Sequence, residues 1–162
     1  MLLAVRGVAL GQTHTLVESP KEGDCVRYQL EMKLSGEMRV NQGGKDVSLR
    51  LTATAAHTFS ERVLAVGAEK LPHKTARHYD TAKAVITVAG DRSERMLRDT
   101  RRLLVAHRHD DQIVLYSPVG PLTREELELT AEHLDTLTLT SLLPGKAVNV
   151  GDTWKVSNAV AQ

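Results

Sequence analysis

From Val26 to Leu34 the side chains alternate in character at every step, with Val26, Tyr28, Leu30, Met32 and Leu34 on one side of the backbone and Arg27, Gln29, Glu31 and Lys33 on the other. A period of two with one polar face is the pattern of a half-buried antiparallel strand. Glu37 to Val40 continues it after Gly36, which is expected to mark a bulge. Asn41-Gln42-Gly43-Gly44-Lys45 is a hairpin turn, because glycine tolerates the positive φ that such turns require. A second long strand follows, in which Val47, Leu49, Leu51, Ala53 and Ala55 alternate with Ser48, Arg50, Thr52 and Thr54. It runs on through Phe59 to Val66, with a bend expected near His57.

Gly67 to Lys74 contains Pro72 and breaks the pattern. Thr75 to Lys83 fits either a short helix or a strand, and the β-branched run Ala84 to Ala89 is a strand. Gly90-Asp91-Arg92 turns the chain. Arg95–Asp99, Arg101–His107 and Gln112–Ser117 are then expected as strands, the last two joined by a hairpin at His109-Asp110-Asp111. Ser117-Pro118-Val119-Gly120-Pro121 stops the sheet. Thr123 followed by Glu126 is a capping box, in which each side chain satisfies the other's exposed backbone donor at a helix start. Leu122 and Leu127 stand at the positions of a hydrophobic staple, and the helix is expected over 123–135 with Leu127, Ala131 and Leu134 on its covered face. The fold class is therefore mainly β (α+β): a curled antiparallel sheet or half-barrel with one short helix packed on it.

Composition removes several functions. Twenty-one basic residues against 20 acidic ones give no field for a polyanion, so no nucleic-acid partner is expected. Tyr28, Phe59, Tyr79, Tyr116 and Trp154 are the only Phe, Tyr or Trp rings, too few for a stacking platform. Cys25 has no cysteine to pair with and reads as a half-buried strand residue. No stretch reaches the roughly 20 apolar residues of a membrane-spanning helix. Residues 1–11, MLLAVRGVALG, place small Ala9 and Gly11 at the spacing of a secretory cleavage site with Gln12 following, against the alternative of a strand-forming N-terminus. On the first reading 1–11 is a signal-peptide remnant and the protein is exported, to the periplasm or cell envelope. Residues 12–147 then form the antiparallel domain with its helix. Gly151-Asp152 near the end resembles Gly23-Asp24 before the first strand, so 148–162 reads either as the start of a second, truncated repeat or as a repeated strand-entry turn. An unfinished second half would leave a sheet edge near Trp154 open to homo-oligomerisation.

The pattern L-P-x-x-x-V-x-V-G-D-x-W, carried by Leu143, Pro144, Val148, Val150, Gly151, Asp152 and Trp154, joins Gly120-Pro121-Leu122-Thr123-Arg124-Glu125-Glu126-Leu127. Together they resemble a group of uncharacterised exported bacterial β-proteins, similar in turn to half-barrels of the lipoprotein-carrier type. The resemblance covers about residues 20–157 and implies a curled sheet with a helix across its open face. Its motifs are structural, and it carries no functional residues to this chain.

Candidate chemistry is sparse. His107 and His109 share one strand face, with Asp110 and Asp111 beyond, so His107, His109 and Asp111 are the candidate metal ligands, a further ligand coming from His57, His73, His78 or His133. The competing reading is a solvated hairpin tip. Arg92, Arg95, Arg98, Arg101, Arg102 and Arg108 form a basic run that could bind anions or pair across strands with Glu31, Glu37 or Asp46. No G-x-S-x-G and no phosphate-binding glycine loop occurs, and capping accounts for Glu125 and Glu126. No cofactor is implied. The expectation is a non-catalytic exported scaffold or partner-binding module, with apolar-ligand binding between curled sheet and helix as the alternative and a metal-dependent hydrolase as a remote third.

Overall fold

The computed structural model describes residues 13–68, 70–109, 112–131 and 136–156. In chain order its elements are β1 (Thr13–Thr15), β2 (Cys25–Gln42), β3 (Lys45–Val66), β4 (Pro72–Val88), β5 (Asp91–Met96), β6 (Leu103–His109), β7 (Gln112–Tyr116), α1 (Arg124–Ala131) and β8 (Ala147–Asn149). The 3-10 turns are Asp99–Arg101 and Thr136–Leu142. Residues 20–137 form one compact unit, and a second unit brings 13–19 together with 138–156.

The larger unit is a strongly curled antiparallel half-barrel. Its strands run in the order β2-β3-β4-β6-β7, and β5 shares the far edge of β4 with β6. The long hairpin closes on Gly43 and Gly44, both at positive φ, with Gln42 opposite Lys45. Gly36 is not a bulge: it sits opposite Leu51 in an unbroken register. The apolar positions Leu34, Met38 and Val40 keep the same parity on both sides of it, so no extra residue is needed. The irregularities lie between β3 and β4, at Val63–Val66 and next to the bend expected at His57. Thr58 faces Thr81 while Phe59 faces Tyr79, which leaves Asp80 as the extra residue in β4. Buried positions in β4 accordingly change parity, from Thr75, Arg77 and Tyr79 to Ala82 and Ala84.

The ambiguous stretch 75–83 is strand throughout, and Pro72 opens β4 rather than lying in a loop. The following turn is Ala89-Gly90, one residue earlier than expected, so Asp91 and Arg92 belong to β5. Arg95–Asp99 is strand only to Met96, Asp99–Arg101 is a 3-10 turn, and β6 starts at Leu103. Ala89 takes φ 51°, a left-handed conformation that costs a β-carbon roughly 1–2 kcal/mol. Ala89→Asn, the residue a two-residue turn of this hand prefers, should therefore raise stability by about 1 kcal/mol in urea unfolding. An unchanged or lower midpoint would contradict the turn geometry.

The core gathers where α1 lies on β4 and β5. Phe59, Tyr79, Ala82, Ala84, Leu104 and Leu129 are buried together, with Tyr28, Leu30, Leu97, Leu115 and Leu122 packed against them. Phe59 sits between two tyrosines, 5.3 Å from Tyr28 and 4.7 Å from Tyr79 between ring centroids, within the range of favourable ring packing. The capping box forms as expected: Thr123 N donates to Glu126 Oε2 (2.8 Å) and Glu126 N to Thr123 Oγ1 (3.2 Å). The covered face of the helix differs from the expectation. Glu126, Leu129 and Thr130 are buried at i, i+3, i+4 spacing, whereas Leu127 is exposed and Leu134 lies outside the described residues. Apolar periodicity misplaces Leu127, because Glu126 is satisfied inside by its own partners and so takes a buried position.

In the smaller unit β1 and β8 pair antiparallel, and Trp154 Nε1 donates to Leu142 O (2.8 Å). The two Gly-Asp turns are the same local structure. Lys21 N donates to Asp24 Oδ2 (2.8 Å) and Asn149 N to Asp152 Oδ2 (2.7 Å), with Gly23 and Gly151 at φ 91° and 94°. Only the first leads into a strand; residues 152–156, including Trp154, form none.

Candidate functional site

The inner face of the half-barrel has a covered part and an open part. Even positions of β2 and odd positions of β3 point inward along the whole hairpin, as the partly buried Leu30, Met32, Leu49 and Ala53 show. Next to α1 this face is filled by Phe59, Tyr79, Leu104 and Leu129. The space expected beneath the helix is therefore occupied by core. Farther along the hairpin the same stripe is uncovered and forms a groove of about 560 Å³. Met32, Leu34, Ala53, Ala55, Ala84 and Ile86 line it, and Glu31, Lys33 and Thr54 border it from strand positions whose parity faces outward. Small side chains help make the space: three of the six apolar lining residues are alanine.

A second constellation lies inside the sheet. Glu61 and Arg77 are buried and form an ion pair at 2.6 Å. Glu61 Oε2 also accepts from Thr75 Oγ1 (3.1 Å) and Thr136 Oγ1 (2.5 Å), and Arg77 Nη2 donates to Thr136 Oγ1 (2.7 Å). The guanidinium carbon stands 5.9 Å from the Phe59 ring centroid, a cation–π distance. Burial pushes the neighbouring Tyr79 phenol up, against the lowering effect of Arg77. One carboxylate oxygen meeting three donors is a tie between β3, β4 and the start of the 136–142 turn, not a base positioned for proton transfer. No motif in the sequence marks this pair. Its only signal is parity: Glu61 stands between Phe59 and Val63 in the inward series.

Of the candidate metal ligands, the described residues include the histidines His107, His109, His57, His73 and His78, while Asp111 and His133 lie outside them. His107 and His109 lie two apart on β6. His73 stands edge-on to His107 at 5.0 Å between ring centroids. Partial burial first, then the neighbouring His73, Lys74 and His109, lower the His107 pKa, which keeps that ring neutral near pH 7. His57 is buried in the sheet and His78 is 3.9 Å from Asp80. Among the described residues no three His, Cys, Asp or Glu side chains converge as a metal-binding group.

Four of the six arginines of the run pair with acids other than those expected. Arg92 pairs with Glu94, Arg95 with Glu128, Arg98 with Glu126 and Arg102 with Asp99. Glu37 instead accepts from Ser48, and Asp46 from Asn41. Arg98, Arg101 and Arg102 cannot make the expected cross-strand pairs because they are not on strands: they surround the 99–101 turn. Cys25 is exposed, not half-buried, because its odd position in β2 faces outward; Arg62 Nε donates to its sulfur at 3.3 Å.

Comparison with protein-family models, with curated proteins and with solved structures found no match. Function must therefore be sought in the groove and in the chemistry around it.

Proposed function

We propose that this chain is a non-catalytic binding module whose inner-face groove takes an apolar, lipid-like ligand. What carries the reading is the stripe that leaves the core still apolar and uncovered: Met32, Leu34, Ala53, Ala55, Ala84 and Ile86 around about 560 Å³. That volume is within the range of small-molecule sites, and its lining is of the apolar kind such sites use. No charged group belongs to the apolar stripe, so the ligand's buried part needs no polar partner. The same reading takes the protein as exported, on the strength of Ala9-x-Gly11 before Gln12. Recovery of a mature chain starting at Gln12 from an envelope extract would support that placement.

The test is titration with a fluorescent fatty acid, read as emission enhancement. Saturable binding is expected, and Ala53→Glu, which places a charge among the lining residues, should weaken it by at least tenfold, because a buried unpaired carboxylate costs several kcal/mol. Circular dichroism of the variant should stay strand-like, since Ala53 is only partly buried. Equal binding by Ala53→Glu and the parent would remove the groove as the site.

A further inference from the structure

We infer that β2 is a docking edge for a second copy of this chain, paired antiparallel about a two-fold axis at Met32. β2 is the terminal strand of its sheet, 18 residues long, and among the described residues no strand pairs with its outer side. It lacks two devices that blunt an edge: no proline occurs in it and its register with β3 is unbroken. Because Gln42 and Lys45 close a two-residue turn, the even positions of β2 bond to β3. The odd positions therefore turn their N–H and C=O groups to the open edge.

Those odd positions carry the outer-face charges Arg27, Glu31, Lys33, Glu37 and Arg39. An added antiparallel strand must keep the two faces in phase, so only whole-residue centres of symmetry are allowed. Centred on Met32, Glu31 faces Lys33 of the second copy and Arg27 faces Glu37, each pair occurring twice. Neighbouring centres set like charges together. Glu31 meets itself about position 31, Lys33 meets itself about position 33, and Glu31 meets Glu37 about position 34. A centre at Ser35 is also charge-matched, pairing Glu31 with Arg39 and Lys33 with Glu37.

Met32 and Ser35 each match two kinds of charged pair, against one kind about Gln29 (Arg27 with Glu31) or Met38 (Glu37 with Arg39), and the inner face decides between Met32 and Ser35. About Met32, Val26 meets Met38 and Leu30 meets Leu34, which covers three side chains that are now 44%, 38% and 60% exposed for Val26, Met38 and Leu34. Tyr28 meets Gly36, an aromatic over a glycine, a pairing that stabilises strand edges. About Ser35, Leu30 meets Val40 and Met32 meets Met38, but Tyr28 meets the polar Gln42, Leu34 meets Gly36, and Val26 falls opposite the turn residue Gly44 and stays uncovered. Arg27 is already paired with Asp80 at 2.6 Å but keeps most of its surface, so it can serve both carboxylates. Met32 and Leu34 also line the groove, while the strand pairing itself is made by backbone groups of the odd positions and is read by association alone.

Sedimentation equilibrium of the full chain over 1–100 µM is expected to show a monomer–dimer equilibrium, with circular dichroism recorded on each variant. Lys33→Glu sets like charges opposite each other twice and should raise the dissociation constant at least tenfold. Lys33→Glu combined with Glu31→Lys restores both pairs about Met32 but opposes like charges about Ser35, so recovery of the dimer supports the Met32 centre. A parent chain that is monomeric at 100 µM, a dimer indifferent to Lys33→Glu, or a folded double variant that stays monomeric would each overturn the proposal.

Discussion

Glu61→Ala is expected to lose about 3–5 kcal/mol of folding stability, the cost of leaving a buried guanidinium without its counter-charge. Arg77 keeps only neutral partners such as the Thr136 hydroxyl in that variant, because its ionic partner at 2.6 Å is gone. For a chain of this size each kcal/mol moves the melting temperature by roughly 2–4 °C, so a fall of roughly 10–15 °C should be read by thermal circular dichroism. All three tyrosines, Tyr28, Tyr79 and Tyr116, belong to the half-barrel unit and Trp154 to the smaller one, so the tyrosine part of the near-ultraviolet spectrum follows the half-barrel. Arg77→Met should cost a similar amount, since Glu61 would then be a buried carboxylate held by two threonines. The double variant Glu61→Leu/Arg77→Met should be more stable than either single one, because no uncompensated charge remains. Single variants within about 1 kcal/mol of the parent would show that the pair is not a structural tie.

Strands are legible in the sequence where hydrophobicity and parity agree. In β2 and the first half of β3, apolar residues occupy nearly every inward position, and the hairpin glycines mark the turn without ambiguity. β4 is illegible for two physical reasons. Arg77 is an inward residue that a hydrophobic pattern counts as outward, and the bulge at Asp80 switches parity halfway along. A period-two test fails across such a switch even though the strand continues. The capping box is readable because it is local, three residues in span, whereas the pairing of Arg98 with Glu126 is set by topology across 28 positions. The groove lies between these cases. Its apolar side chains are visible in the sequence, but which part of the stripe the helix covers depends on where β5 places α1, and that is a tertiary fact.

Glu126 joins three of these levels, and its ionisation should set the acid limit of the half-barrel. Arg98 grips it with two parallel bonds, Nε to Oε1 and Nη2 to Oε2, both 2.6 Å. The Arg98 side chain first, then the backbone N–H groups of Thr123 and Arg98, hold its pKa down to about 2 from the ordinary 4.5, in spite of burial. The folded state therefore binds this proton less readily than the unfolded chain. The stability it contributes is complete above about pH 4.5 and disappears as pH falls from there through 2. A shift of that size bounds the contribution at about 3 kcal/mol, and solvent around the half-exposed Arg98 reduces it to roughly 2 kcal/mol. Glu126→Gln keeps the shape and a cap acceptor but removes the charge. Urea midpoints measured from pH 6 to 2 should fall steeply for the parent across that window and more gently for Glu126→Gln. Glu126→Ala also loses the capping box and should cost about 2–4 kcal/mol at pH 7. Parallel pH profiles for the parent and Glu126→Gln would mean that other carboxylates govern acid unfolding and that the helix is held to the sheet by Leu129 and its apolar neighbours alone.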